Sequence, residues 1–255
     1  MTEIPRREPP PFQPAAVRSV ETRTPRLVRV VLEGPGLAAL VPPEPAASIR
    51  VLLPGDDGPL VVPTWRGNEF LLPDGSRPRI RTLTPIATDD TDALAVEVVV
   101  HQGGALSAWA SAAAPGDVVA VSGPGRGYAV DEHAPAYLLA GDETALPAIG
   151  QVLAALPADV PVQVLVEVAD PAARLDLPAH PNAPVTWLDL PDGAPPGDAL
   201  VAAVRTAELV DGVRVWAAGE AAAVQRIRRH LFEEHDIARS HATVRGYWKH
   251  GRPGT

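Results

Sequence analysis

Cysteine is absent from this 255-residue chain, and lysine occurs once, at Lys249. Without cysteine there is no disulfide, no thiolate nucleophile and no cysteine-held metal cluster. No apolar run reaches the length of a transmembrane helix. The first residues, MTEIPRREPPPF, lack the apolar stretch of a signal peptide. The expectation is a cytoplasmic protein with no membrane partner. A net charge of −9 argues against non-specific nucleic-acid binding. No H-E-x-x-H, P-loop or G-x-S-x-G motif is present. The seven histidines are scattered without metal-ligand spacing, so no metal site is expected. GPGRGY (123–128) contains G-x-G, but no helix follows it. It therefore reads as a tight interdomain turn and not as a dinucleotide fingerprint.

The chain is long enough for two domains, and 46 % hydrophobic against 21 % charged residues marks it as globular. Residues 1–13 read as a proline-rich extended arm. Six short runs follow, AVRSVET, RLVRVVLEG, SIRVLLPG, RIRTLTPI, LAVEVVVH and DVVAVSG, separated by turn residues. They predict a small antiparallel β-barrel over 14–130. GGALSAWASAAAPGD (103–117) interrupts it as a single helix. From 131 onward near-continuous apolar strands alternate with helices, which predicts a parallel sheet covered on both faces. HLFEEH (230–235) carries two histidines five apart, expected on different faces of a solvated helix end.

Several stretches carry chemistry. In RTLT, Arg81 and Leu83 face one way and Thr82 and Thr84 the other. An arginine fork suits a phosphate, and a threonine suits the edge of a planar ring; a surface arginine beside β-favouring threonines is the plainer account of these four residues alone. In HQGGALSAWA, two glycines precede a helix start, whose free N–H groups suit an anion; a helix plugging the barrel through Trp109 is equally compatible. In LLAGDETALPAIG and WAAGE, strands end at helix starts. Ligands of open α/β sheets bind beyond such strand ends, although simple capping explains the same residues. The acids there suit ribose hydroxyls or an amide better than phosphate. RGYWKHG (245–251) crowds aromatics and cations on one strand, for a planar or anionic ligand or for an edge. Glu167 and Asp170, after the second α/β strand, favour a free ribose 2′-hydroxyl, whereas Arg174 favours a 2′-phosphate.

In this order and spacing, RTLT, HQGGALSAWA, PGD, LLAGDETALPAI, WAAGE and GYWKHG resemble the siderophore-interacting protein family. These are flavin-dependent ferric-siderophore reductases within the ferredoxin–NADP reductase superfamily. The resemblance spans about residues 14–252. It implies an N-terminal antiparallel six-stranded Greek-key barrel that binds flavin and a C-terminal ferredoxin–NADP reductase-like α/β domain (131–255). FAD is the implied cofactor, NADPH or NADH the electron donor, and a ferric siderophore the substrate of a monomeric enzyme. The flavin carries the chemistry, so no catalytic side chain is implied.

The resemblance assigns Arg81 to the FAD phosphates and Thr84, with Thr82 and Leu83, to the isoalloxazine edge. His101 would lie near the flavin or its ribityl chain. Gly104, Ala105, Leu106 and Ser107 would bind pyrophosphate. Asp142, Glu143, Thr144 and Ala145, with Gly219 and Glu220, would meet the nicotinamide nucleotide. Arg245, Trp248, Lys249 and His250 would border the substrate approach. Two departures stand out. Leu83 replaces a tyrosine or another polar residue, and Gln102 replaces a glycine. The remaining alternatives are another flavin-dependent reductase, or a siderophore-binding protein that has lost FAD.

Overall fold

The computed structural model describes residues 8–55, 59–101 and 103–251; Gln102 lies outside them, as does the first half of the expected N-terminal arm. The first half of the chain forms β1 (Gln13–Thr24), β2 (Leu27–Glu33), β3 (Ile49–Leu52), β4 (Thr64–Trp65), β5 (Phe70–Leu71), β6 (Ile80–Leu83), β7 (Ile86–Ala87), β8 (Ala93–Val99), the helix α1 (Ala105–Ala112) and β9 (Val118–Ser122). Alternation decides which face is buried. Along β8, Leu94, Val96 and Val98 point into a core shared with Val30, Leu32, Val51, Val119 and Val121.

All six expected runs join one antiparallel sheet, in the order β6-β3-β9-β1-β2-β8-β7. The sheet counts seven strands because the run 79–86 supplies two. Pro85 has no N–H to continue the ladder, so the chain leaves β3 and pairs with β8 instead. β6 and β7 lie at opposite edges of the sheet, yet only Thr84 and Pro85 separate them. The sheet therefore curls until its two edges meet at this dipeptide. A separate hairpin of β4 and β5, not anticipated from the sequence, packs Trp65 on Phe70 and Phe70 on Phe12.

The second half forms β10 (Tyr137–Asp142), α2 (Leu146–Ala155), β11 (Val162–Val168), β12 (Val185–Asp189), α3 (Asp198–Thr206), β13 (Arg214–Glu220), α4 (Ala221–Arg229) and β14 (Ala242–Trp248). The five strands are parallel, in the order β12-β11-β10-β13-β14. Every residue of the central β10 is buried. Leu139, Val164, Val166 and Trp216 meet α2 on one face. Leu138, Ala140, Leu165 and Val215 meet α3 and α4 on the other. Burying each such side chain is worth about 1.5–3 kcal/mol.

The end of α4 differs from expectation. Residues 230–234 form a π turn in which the His235 N–H donates to the His230 carbonyl at 3.2 Å. A π turn brings residues five apart onto one face. His230 is thus buried, not solvated, and its ring stands 4.4 Å from that of His235.

Contacts of α2 help to join the two sheets. The Gln151 side chain on α2 accepts the Ala46 N–H at 2.9 Å and donates to the Pro85 carbonyl at 2.7 Å. Ala46 and Tyr128 complete the α2 side of the core.

Candidate functional site

A cavity of about 830 Å³ opens between the curled sheet and the carboxyl ends of the parallel strands. Thr82, Leu83, Thr84, His101 and Leu106 line it from the first sheet and the loop after it. Glu143, Thr144, Ala169 and Leu190 line it from the ends of β10, β11 and β12. Arg245, Tyr247, Trp248 and His250 line it from β14 and just beyond.

On the first side, Leu83 and Leu106 pack against the β-sheet core and present apolar surface to the cavity. Arg81 sits beside this wall and outside the lining, with its Nη1 donating to the Ile80 carbonyl at 2.8 Å. Partial burial, and then the neighbouring Arg79, lower its pKa from the usual guanidinium value. The loop from His101 to Ser107 is closed by one side chain. The buried Ser107 hydroxyl donates to the His101 carbonyl at 2.7 Å and accepts the His101 N–H at 2.9 Å. Ser107 thus shapes the loop through its hydroxyl, and only its backbone N–H remains for an anion. Gly103 and Gly104 turn with φ of 82° and 88°, a region that side-chain-bearing residues rarely adopt. The first helical bond of α1 runs from the Ala108 N–H to the Gly104 carbonyl, and no side chain caps the helix. The N–H groups of residues 104–107 therefore have no helical partner.

On the second side, the acids expected to meet a nucleotide are mostly committed to the fold. Asp142 is buried, and its two oxygens receive four donors. Oδ1 accepts the Thr144 N–H at 2.9 Å and the Thr144 hydroxyl at 2.5 Å, and Oδ2 accepts the Glu220 N–H at 2.9 Å and the Trp248 indole N–H at 2.8 Å. Gly219 is required because a Cβ there would stand 2.6 Å from the same Oδ2. Glu220 caps α4 through the Ala222 and Ala223 N–H groups, and its other oxygen accepts the His250 N–H at 3.1 Å. Ala145 is fully buried beneath Gly141. Ala145, Gly219 and Glu220 do not line the cavity. Glu167 lines the cavity, but its carboxylate is committed to the fold. It caps α3 by accepting the Gly197 N–H at 2.6 Å and the Leu200 N–H at 2.9 Å, and burial raises its pKa.

Glu143 faces the cavity and bridges the two halves. It accepts the Ala169 N–H at 2.8 Å and the Arg26 Nε–H at 2.9 Å. Arg26 lies in the β1–β2 turn, and its carbonyl accepts the Val100 N–H at 2.7 Å, next to His101. On β14, Tyr247 lines the cavity together with Thr84 of the curled sheet. Lys249, just past the end of β14, is exposed to solvent and does not line the cavity. Arg26, Tyr247 and Arg228 are cavity residues that the sequence reading did not assign. The aromatic pair of GYW was its one available signal for Tyr247. Nothing in the sequence links Arg26 to Glu143.

An uncapped helix start over two glycines, an apolar wall and flanking threonine hydroxyls suit a phosphate-bearing planar cofactor. Residues 16–128 match the family model described as siderophore-interacting FAD-binding domain, and residues 134–251 match that described as siderophore-interacting protein. The chain belongs to the siderophore-interacting protein family. FAD is its cofactor, and the residues around the α1 start fit it. A siderophore utilization protein from T. fusca is 35 % identical, with a TM-score of 0.82 and 96 % of each chain covered. The NADPH-dependent ferric-chelate reductase of Escherichia coli is 30 % identical over 93 % of this chain and 92 % of its own length. At 16 % identity, phthalate dioxygenase reductase shares the fold alone, with a TM-score of 0.60 over 96 % of this chain and 70 % of that one. This siderophore-interacting protein thus has the expected ferredoxin–NADP reductase-like architecture. Among the described residues, no helix is long and apolar enough to cross a membrane.

Proposed function

We propose that the protein is an FAD-dependent NAD(P)H:ferric-siderophore oxidoreductase, built from an FAD-binding unit over 14–130 and a nucleotide-binding unit over 131–255. The observation that carries this reading is the shared cavity, which His101 and Leu106 beside the uncapped α1 start and the carboxyl ends of β10–β12 line together. When bound, FAD supplies the conversion of a two-electron hydride donor into the single-electron steps that Fe(III) requires.

The protein's own residues bind, orient and shield. The N–H groups of residues 104–107 hold the pyrophosphate at the positive end of α1, with Arg81 as a nearby cation. Leu83 and Leu106 keep water from one side of the ring, and Thr82 and Thr84 meet its polar edge. His101 stands over Gly104, with its Cε1 3.5 Å from where a Cβ would lie, and walls the entrance. Glu143 and Thr144 meet the nucleotide at the end of β10. Arg245, Trp248 and His250 border the side open to the chelate, where a cation favours an anionic ligand. Fe(II) binds hard oxygen chelators far less tightly than Fe(III), so reduction releases the iron.

Purified protein should be yellow, and NAD(P)H should drive ferric-siderophore reduction that a ferrous trap detects. Colourless protein that FAD cannot reconstitute would sink the reading. NAD(P)H oxidation indifferent to the iron ligand would assign it to another flavin-dependent reduction.

A further inference from the structure

We propose that this protein uses NADH in preference to NADPH, and that Asp189 sets the choice by holding Arg174. The inference rests on the reductase reading above. In a doubly wound sheet, a nucleotide bound over the first strand-to-helix turn places its adenosine ribose beyond the end of the second strand. Here the turn follows β10 and the second strand is β11, which ends at Val168. The cavity reaches this place, since Ala169 and Leu190 are part of its wall.

A 2′-phosphate brings about two negative charges and three acceptor oxygens, and it needs a cation. Between residues 169 and 197 the sequence holds a single arginine, Arg174, and no lysine. Its Nη2 contacts both Asp189 carboxylate oxygens, at 2.6 and 2.7 Å. The other charges nearby in sequence are acids. Asp170 uses one oxygen to accept the Ala172 N–H at 2.8 Å. Asp176 and Asp192 lie on the same two connections. His180, the remaining basic side chain there, has its Nε2 3.0 Å from the Pro157 carbonyl.

Sequence position alone points to Glu167 and Asp170 as readers of a 2′-hydroxyl. The two bonds of Glu167 to the start of α3 take it out of that role. Discrimination passes to the Arg174–Asp189 pair, which is partly exposed, with 39 % and 52 % of the two side chains accessible. Exposed pairs are weak, so the preference is moderate, about tenfold, and not absolute. An incoming 2′-phosphate can displace the carboxylate from Arg174, but the carboxylate stays beside it and repels it.

The test uses FAD-loaded protein and two readouts. One is kcat/KM for NADH and NADPH. The other is calorimetric binding of 5′-AMP and 2′,5′-ADP, which needs no turnover. The wild type should favour NADH and bind 5′-AMP more tightly. Asp189→Asn should raise the NADPH-to-NADH ratio and the relative affinity for 2′,5′-ADP about tenfold. Adding Arg174→Ala to that variant should abolish both gains. Equal or better use of NADPH by the wild type, or an unchanged ratio in Asp189→Asn, would overturn the inference. If neither nucleotide is oxidised, the reductase reading fails, and the calorimetric comparison still decides the role of Asp189.

Discussion

The Trp248 indole N–H donates to Asp142 Oδ2 across 2.8 Å and ties the last residue of the edge strand to the end of the central one. The neighbouring Tyr247 shares the cavity lining with Thr84 of the curled sheet. Two adjacent aromatics on one strand thus form part of the cavity wall, and Trp248 fixes it to the central strand. Trp248→Phe keeps the ring and removes the donor, leaving Asp142 with three of its four partners. The expected cost is about 1.5–3 kcal/mol, the usual range for a hydrogen bond to a charged group, read as a lower urea midpoint at unchanged slope.

The Arg26–Glu143 pair predicts a sharper asymmetry. The Glu143 carboxylate is buried, whereas Arg26 remains partly open to solvent. Arg26→Ala leaves a buried charge with one backbone donor and should destabilise by about 2 kcal/mol, below the range for fully buried pairs because Arg26 is partly hydrated. Glu143→Gln removes the charge itself and should cost less. Denaturant unfolding of the two variants compares them directly, and equal losses would contradict the argument.

Tyr247 gives a pH prediction. Burial raises the phenol above its usual value, against the opposing influence of nearby Thr84 and Arg245. The residue nevertheless keeps 37 % of its surface open. A raised folded-state pKa means that the folded protein holds this proton after the unfolded chain has released it. The contribution is complete below about pH 10, the unfolded tyrosine value, and is lost as pH rises through the folded value. Tyr247→Phe should flatten the fall in stability above pH 10 and leave the slope near neutrality unchanged. Melting temperatures across that range test it.

Leu83 presents a hydrocarbon side chain where a ring or a polar group is expected. Leu83→Tyr should slow the release of FAD on dilution, seen as a delayed rise in free-flavin fluorescence. The larger side chain also crowds the core that Leu83 helps to cover, so a stability loss of about 1–3 kcal/mol should accompany the gain. Faster release of flavin would show that the leucine is the better fit in this wall.

Much of the architecture could be read from local pattern. The continuous apolar runs of β10, β11 and β13 required burial on both faces, and Pro85 marked the place where one run divides. The candidate acids were harder. Asp142, Glu167 and Glu220 stand at strand ends, where the sequence reading places ligand-binding groups, yet all three satisfy backbone donors of neighbouring elements. Which donor a carboxylate meets depends on residues far away in sequence, as in the step of 117 positions from Arg26 to Glu143. The π turn after α4 was equally hidden, because a period of 3.6 places residues five apart on different faces and only the observed hydrogen bond moves them together.

Thr84 and Pro85 form the clasp of a belt. They join the strands at the two free edges of the seven-stranded sheet, and Gln151 fastens the clasp to the second half of the molecule through the Pro85 carbonyl. A chain cut at this dipeptide would leave every ladder bond of the sheet in place and still let its ends part. The cavity wall at Thr84 thus owes its position to closure of the whole belt as well as to its neighbours, and a disturbance in any of the seven strands can reach the cavity through that one link.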